Sequence, residues 1–356
     1  MLILTKSTLS LMIGFILSIF SASIIIPLLK KLKAGQNLSI YLSEKHRSKQ
    51  GTPTMGGIIF ILPTIITMII LYLTKKINFS YNLLIVIFTF LGYFLIGFID
   101  DYLIIIKHNN KGLSEKAKFL LQIIIAVIFF YLFMISGNEP LLWIHSLNIK
   151  LDIGWYYGLF ILLVLVASSN AVNLTDGLDG LAGGLSAIAI CTFGILSFNT
   201  GWLEGYEEIA IFCFTLTGSI LGFLVFNVSP AKVFMGDTGS LCLGATLGTI
   251  AILTRHEILL IVIGIVFVIE TITCLIQRYY YKLTKKRFFP MTPIHHTFEK
   301  LGWREQDIVK LFWIIGFIGS MPNRPPSWSR PMWACRKPRR RCTERRWWRK
   351  LRGLRL

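Results

Sequence analysis

Apolar runs of about 17–22 residues recur along this chain, and each is long enough to cross a hydrocarbon core of about 30 Å as a helix. They lie at about 11–29, 56–73, 82–99, 119–135, 156–172, 181–197, 209–226, 239–253 and 258–276. This pattern predicts an all-α polytopic membrane protein. With 54% apolar residues, 15% charged residues and a mean hydropathy of +0.64, the chain lies well outside the range of soluble domains. The first run is read as a retained span rather than a signal peptide, because polar residues 35–50 follow it without a small-residue cleavage site. The eighth is short and carries Gly239, Gly244 and Gly248, which suits a tightly packed interior helix. A tenth run begins near Val309 and breaks at Met321-Pro322, too short to span by itself. No period of about 20–50 residues repeats. Cys191, Cys213, Cys242 and Cys274 lie singly inside apolar runs, as buried small hydrophobes rather than disulfides or metal ligands.

The end of the chain reads differently. Residues 1–320 hold 19 Lys and 5 Arg, whereas residues 321–356 hold 11 Arg, 2 Lys, four Trp, five Pro and a single acid, Glu344. The tail therefore carries +12 of the formal +19. A Lys/Ile/Asn-rich body joined to an Arg/Pro/Trp-rich end suggests two nucleotide compositions, as a fusion or a shifted reading frame produces. A nucleic-acid or anionic-lipid arm is the functional alternative. Residues 1–320 are taken as one transmembrane domain and 321–356 are left out of the functional reading, so no nucleic-acid partner is expected.

Basic residues orient the body. Segments 30–55, 100–118, 173–180, 227–238 and 277–310 share one side of the membrane if the runs above are spans. They hold 19 of the body's 24 Lys and Arg, which makes that side cytoplasmic. The other side holds Lys6, Lys75, Lys76, Lys150 and Arg255. Three acidic clusters lie at span margins on the cytoplasmic side: Asp100-Asp101, the stretch NLTDGLDG (173–180), and Asp237 in FMGDTGS. Carboxylates are costly in hydrocarbon, so acids there point to a functional site. Lys49, Lys111, Lys116 and Lys118 share that surface. A mixed field of carboxylates and ammoniums suits metal-dependent pyrophosphate chemistry, whereas a channel more often shows a ring of one sign.

Asp100 and Asp101 close the run LGYFLIGFID. Adjacent carboxylates repel, and a divalent metal, a basic partner or protonation of one relieves the strain. A solvated helix end is the plainer reading, but negative charge is unfavourable at a helix C-terminus. In NLTDGLDG, Asp176 and Asp179 are i, i+3 neighbours if the segment is helical, and Gly177 and Gly180 would allow close approach of a ligand. Asn173 and Thr175 fit plain helix caps as well. Asp237 would ordinarily be an N-cap, and becomes a metal-ligand candidate in the company of the other acids. His295 and His296 lie in the Pro-interrupted basic loop KKRFFPMTPIHHTFE. No further Cys or His stands at zinc spacing, so hydrogen bonding to phosphate or a base suits them better. KQGTPTMGG (49–57) resembles no nucleotide P-loop, and helix packing alone explains its paired glycines. A transporter would need acids near mid-span. Glu270 is the only acid deep in a run, a packed polar bond accounts for it, and no role is assigned to it.

In order, GTPTMGG, GFIDD, KGLSEKAKF, NAVNLTDGLDGL, FNVSPAKVFMGDTGS, VFVIETI and PIHHTFEKLGW resemble the phospho-N-acetylmuramoyl-pentapeptide transferases, of the polyprenyl-phosphate N-acetylhexosamine-1-phosphate transferase superfamily. The resemblance covers about residues 10–320. It implies about ten transmembrane helices with a cytoplasmic-face active-site cleft, in a bacterial inner (cytoplasmic) membrane, and a homodimer in the bilayer. The implied reaction moves phospho-MurNAc-pentapeptide from UDP-MurNAc-pentapeptide to undecaprenyl phosphate, giving lipid I and UMP with Mg²⁺. By motif, Asp100, Asp101, Asp237 and His295 are the catalytic candidates. Asp237 is the first choice as Mg²⁺ ligand, with Asp100 and Asp101 beside it. Lys49, Lys111, Lys116, Lys118, Asn173, Asp176, Gly177, Asp179, Asn227, Phe234, Gln277 and His296 match substrate-binding positions, with Lys116 and Lys118 left as alternatives for one of them. The family usually has three consecutive histidines, and Thr297 stands at the third position here. GTPTMGG and the PIHH loop distinguish this branch from the related UDP-GlcNAc transferases, which share mainly the aspartates.

Overall fold

A computed structural model describes residues 3–32, 51–107, 112–144, 149–198, 200 and 203–321. Lys49, Lys111 and the Arg-rich tail beyond Met321 lie outside the described residues. In chain order the elements are α1 (Ile3–Lys31), α2 (Ile58–Leu73), α3 (Tyr81–Lys107), α4 (Glu115–Ile135), β1 (Leu141–Ile144), β2 (Ile149–Asp152), α5 (Tyr156–Thr175), α6 (Leu181–Ser197), α7 (Tyr206–Asn227), α8 (Gly236–Leu253), α9 (Glu257–Ile263), α10 (Ile265–Thr284), α11 (Ile294–Lys300) and α12 (Glu305–Ser320).

Every apolar run has become helix, but not every helix is one clean span. Among the described residues six helices are long and apolar enough to cross a membrane: α1, α3, α4, α5, α7 and α8. α2 and α6, at 16 and 17 residues, fall short by length. The run expected as a single ninth span, 258–276, is instead α9 and α10, bent by 85° and counting as one further span only if taken together. Gly264 sits at the break with φ −91° and ψ 24°, outside helical geometry, and a glycine is the residue that a helix loses least by unwinding. A second departure from the all-α expectation is the antiparallel hairpin β1–β2, which pairs Leu141 with Asp152 through Ile144 with Ile149.

α8 is the centre of the bundle. Nine-tenths of its apolar window is buried, and it packs on α3, α5 and α6. Lipid chains are as apolar as leucine, so helices here associate through close packing of small residues. GDTGSLCLGATLGTIAIL supplies these, as the glycines of the eighth run suggested. The contact with α3 is closest at Gly97, where an added Cβ would stand 2.1 Å from the Asp237 carbonyl oxygen. α1 uses the same chemistry in a stripe: Ser7, Ser10, Gly14, Ser18 and Ala22 are buried, and the helix packs along α7. Its Leu4, Met12, Ile16, Phe20 and Ile24 are exposed, the side that suits lipid.

At the hairpin end, Arg255 follows α8 and is almost fully buried. Its guanidinium donates to the carbonyls of Leu141 (2.7 Å) and Glu139 and to Tyr157 Oη (3.1 Å), and it lies over the Phe133 and Tyr157 rings. Tyr157 Oη in turn donates to Glu257 at 2.7 Å. This network ties α8, α5, α9 and the approach to β1 together.

Candidate active site

The opposite end of α8 gathers the three acidic clusters. α3 does not stop at its aspartates but continues through the apolar YLIII to Lys107, so Asp100 and Asp101 are buried interior residues rather than a solvated helix end. Being adjacent, they point in different directions along the helix, and their partners differ accordingly. Asp101 Oδ2 accepts from the Thr238 backbone N–H (2.9 Å) and Oγ1 (2.6 Å), and Oδ1 accepts from Asp237 N (3.3 Å). It thus satisfies the N-terminal N–H groups of α8 from another helix, a position where negative charge is favoured. Asp237 lies within the first turn of α8 and is not its cap, contrary to the ordinary reading of an Asp before a helix.

Asp100 faces α4. Ser114 caps that helix, its Oγ accepting from Ala117 N at 3.2 Å, and this start places Lys118 one turn in. Lys118 Nζ stands 2.9 Å from Asp100 Oδ2 and 2.8 Å from Asp237 Oδ2. Lys116 is two residues away, hence on another face of α4, and is exposed. Lys118 is therefore the lysine that meets the carboxylates. Asp100 Oδ1 also accepts from Leu113 N at 2.6 Å. On the far side of Asp237, Asn173 Nδ2 donates to Oδ1 at 2.7 Å and to Ser240 Oγ at 2.9 Å.

NLTDGLDG is not a helix across Asp176 and Asp179. α5 ends at Thr175, and the DGLDG that follows is a turn into α6. Burial first, then the charges of Asp237, Asp101 and Asp179, push the Asp176 carboxyl up to about 8, although part of the residue's surface stays exposed. Asp179 is buried, and Oδ2 accepts from Ala231 N at 3.0 Å. Asn227 Oδ1 accepts from Gly180 N (3.1 Å) while its Nδ2 donates to the Val233 carbonyl (2.9 Å). These two residues stitch the two motif loops together. Phe234, half-buried, joins GTPTMGG to the site through its backbone: Phe234 N donates to Pro53 O and Gly56 N to Phe234 O, both at 2.8 Å. The glycines of that motif pack against this strand-like contact, in line with the packing explanation.

The PIHH loop closes the other flank. His295 is fully buried, with Nδ1 3.0 Å from Glu270 Oε1 and Nε2 against Gly177, where an added Cβ would lie 2.3 Å away. Gly177 is thus approached by an imidazole of the protein itself. His296 Nδ1 pairs with Glu299 Oε2 at 2.6 Å. Gln277 Oε1 accepts from the N–H groups of Phe288 and Phe289 and shapes the loop leading to the histidines. Thr297, at the third histidine position, accepts from Met291 N through Oγ1 and donates to Met291 O, bracing the same loop. Sequence reasoning left Glu270 without a role and overlooked Thr238 and Ser240. The signal for Glu270 was present: an acid deep in an apolar run needs a buried partner.

Residues 83–255 match Glycosyl transferase family 4, and residues 49–61 match Phospho-N-acetylmuramoyl-pentapeptide-transferase signature 1. The Phospho-N-acetylmuramoyl-pentapeptide-transferase of Geobacillus thermodenitrificans (strain NG80-2) is 44% identical over 310 residues, covering 87% of this chain and 94% of the relative. The proteins of that name from Bacillus subtilis (strain 168) and Listeria monocytogenes serotype 4b (strain F2365) are 45% and 44% identical over 310 and 311 residues, with the same coverage. At this identity over nearly nine-tenths of its length, the chain belongs to the phospho-N-acetylmuramoyl-pentapeptide-transferase family.

Proposed function

We propose that the chain transfers phospho-MurNAc-pentapeptide from UDP-MurNAc-pentapeptide to undecaprenyl phosphate, releasing UMP and forming lipid I, a committed lipid intermediate of peptidoglycan synthesis. The observation that carries the reading is the convergence of Asp100, Lys118, Asp237 and Asn173 at one end of the bundle, with Asp176 close enough to feel the charges of Asp237 and Asp101. Both substrates are anionic, so a site for them must neutralise charge before it can do chemistry.

The donor set suits Mg²⁺. Among the described residues Asp100 and Asp237 share the Lys118 ammonium, and their carboxylates are hard oxygen donors. Among the described residues no three His, Cys, Asp or Glu side chains converge on one point. A magnesium there would be held by one or two carboxylates and completed by substrate phosphate and water. Asp237 would hold it, with Asp100 beside it. Bound there, it would neutralise charge developing on the leaving UMP phosphate.

The protein's own groups do the rest. Asp101 anchors the first turn of α8 and so fixes Asp237. Lys118 holds Asp100 and Asp237 in one cluster and offers an ammonium to a phosphate. Asp100 takes the proton from undecaprenyl phosphate, whose oxygen attacks the β-phosphorus while the bond to UMP breaks. A two-step route through an aspartyl phosphate is the rival. Stereochemistry at phosphorus decides between them: inversion fits a single displacement, and retention would exclude it.

We further infer about ten spans in a bacterial inner membrane and a cleft on the cytoplasmic side, supported by the lysine bias and by the meeting of the described cytoplasmic segments at one end; the homodimer is what the family resemblance implies. The direct test is UMP release from UDP-MurNAc-pentapeptide with undecaprenyl phosphate, with UDP-GlcNAc alongside. Release from UDP-GlcNAc alone would replace this reading with the related GlcNAc-1-phosphate transfer.

A further inference from the structure

α12 carries none of the motif segments, and in sequence it is only a tenth apolar run too short to span. Its place in the fold gives it more to do. Its first residue, Glu305, reaches the turn between α5 and α6, where Oε1 accepts from the Asp179 backbone N–H at 2.7 Å. Further along α12, the Trp313 ring lies against the same turn and the helix it starts. An added Cβ at Gly180 would stand 3.7 Å from Trp313 Cζ2, and one at Gly184 would stand 2.1 Å from Cε2. Gly316 approaches Leu185, whose Cδ2 would lie 2.6 Å from an added Cβ. α12 thus runs beside the first turns of α6 and begins at the DGLDG turn.

That turn needs an outside hold. α6 opens on Gly180 at φ 80° with no side-chain cap of its own, so N–H groups at this junction find partners on other elements. Asn227 of α7 takes the Gly180 N–H at 3.1 Å, and Glu305 takes that of Asp179. Of the two acceptors Glu305 is the carboxylate. It lies at the N-terminal ends of both α6 and α12, where negative charge is favoured and a charged acceptor makes the stronger bond. The start of α12 is itself braced from α11: the Phe298 ring packs on Trp303 and Phe312, with centroids 5.2 and 5.8 Å apart. Asp179 meanwhile ties the turn to the α7–α8 connection through Ala231 N. Pinned from both sides, the turn presents Asp176, which feels the charges of Asp237 and Asp101.

We propose that Glu305 is a positioning residue for the donor substrate: by holding the Asp179 N–H it keeps the DGLDG turn, and Asp176 with it, in the arrangement that receives the nucleotide. The proposal rests on the nucleotide-sugar reading above. Glu305 acts by pre-organisation rather than on the reacting atoms. A turn that spends about a tenth of its time in the competent arrangement binds about tenfold more weakly.

The test uses the full chain in detergent. Glu305→Ala removes the acceptor, and Glu305→Gln keeps an oxygen in its place. In Glu305→Ala, amide hydrogen exchange across residues 176–181 should speed up. KM for UDP-MurNAc-pentapeptide should rise about tenfold while KM for undecaprenyl phosphate stays unchanged. Glu305→Gln should bring the donor KM back to within about threefold of the unaltered protein, the remainder reflecting a neutral acceptor. Exchange unchanged by Glu305→Ala would overturn the proposal. So would faster exchange with an unmoved donor KM, an equal rise in both KM values, or no rescue by glutamine, each of which marks a merely structural contact. Should Glu305→Ala fail to fold, Glu305→Asp, which withdraws the carboxylate by one methylene, takes its place under the same criteria. Absence of UMP release by the unaltered protein would instead refute the transferase reading, and the exchange comparison would still decide whether Glu305 holds the turn.

Discussion

Asp100 and Asp101 are neighbours in sequence with separate work, and replacing each by its amide should separate them. Asp101→Asn keeps the shape but not the charge. The amide oxygen takes over the two bonds from Thr238 that now end on Oδ2, in weaker neutral form. The amide NH₂ then faces the Asp237 N–H that Oδ1 accepts, so two donors oppose each other in a buried place. The lost bond costs about 1–3 kcal/mol and the lost charge at the α8 N-terminus about 0.3–1 kcal/mol, offset in part by burying one charge fewer. A net loss of about 2–3 kcal/mol of stability follows. Asp100→Asn instead keeps an oxygen for Leu113 N and loses the ammonium partner, at a site half open through Lys118, so its penalty falls on turnover. Thermal unfolding in detergent and UMP release, measured on both variants, give the comparison. The reasoning fails if Asp101→Asn unfolds with the unaltered protein while losing as much turnover as Asp100→Asn.

Other substitutions probe the same frame. Lys118→Met should abolish detectable UMP release, whereas Lys116→Met should leave at least about half of it, since an exposed surface change is nearly neutral; equal losses would remove Lys118 from the cluster. Gly97→Ala drives a methyl into the Asp237 carbonyl and should cost about 1–3 kcal/mol by overpacking, seen as a lower unfolding temperature together with lost turnover. Removing divalent ions with a chelator should stop turnover and Mg²⁺ should restore it, checked by UMP release before and after. Arg255→Met strips the hairpin of its donor and should cost about 3 kcal/mol of stability, while the KM of the folded fraction for UDP-MurNAc-pentapeptide stays unchanged.

Much of this arrangement was legible in the sequence because lipid simplifies the rules. Apolar runs became helices, and the glycines of 239–248 became the packed core that their size predicts. The lysine bias grouped segments that the structure does bring together, from Asp100 to His295. What hydropathy does not carry is direction. It did not show that α3 runs past Asp101, because an aspartate pair inside a helix and one at its end have the same sequence. It did not show the bend at Gly264, since both halves are apolar. Lys116 and Lys118 separate only once the helix phase fixed by Ser114 is known. Glu270 stood out as an anomaly, but its partner lies in the short helix α11, 25 residues later, and no local pattern links the two.

α8 joins the site to the hairpin network, with Asp237 at one end and Arg255 just past the other. As a straight 18-residue helix it is about 27 Å long and turns about 100° per residue. The two clusters are therefore phased against each other across the bundle, like marks on the two ends of one shaft. Adding or deleting a single residue within α8 would change its composition and hydropathy only slightly yet swing Asp237 a quarter turn or more away from Lys118 and Asn173. In this fold, length within α8 is as tightly constrained as any side chain at the site.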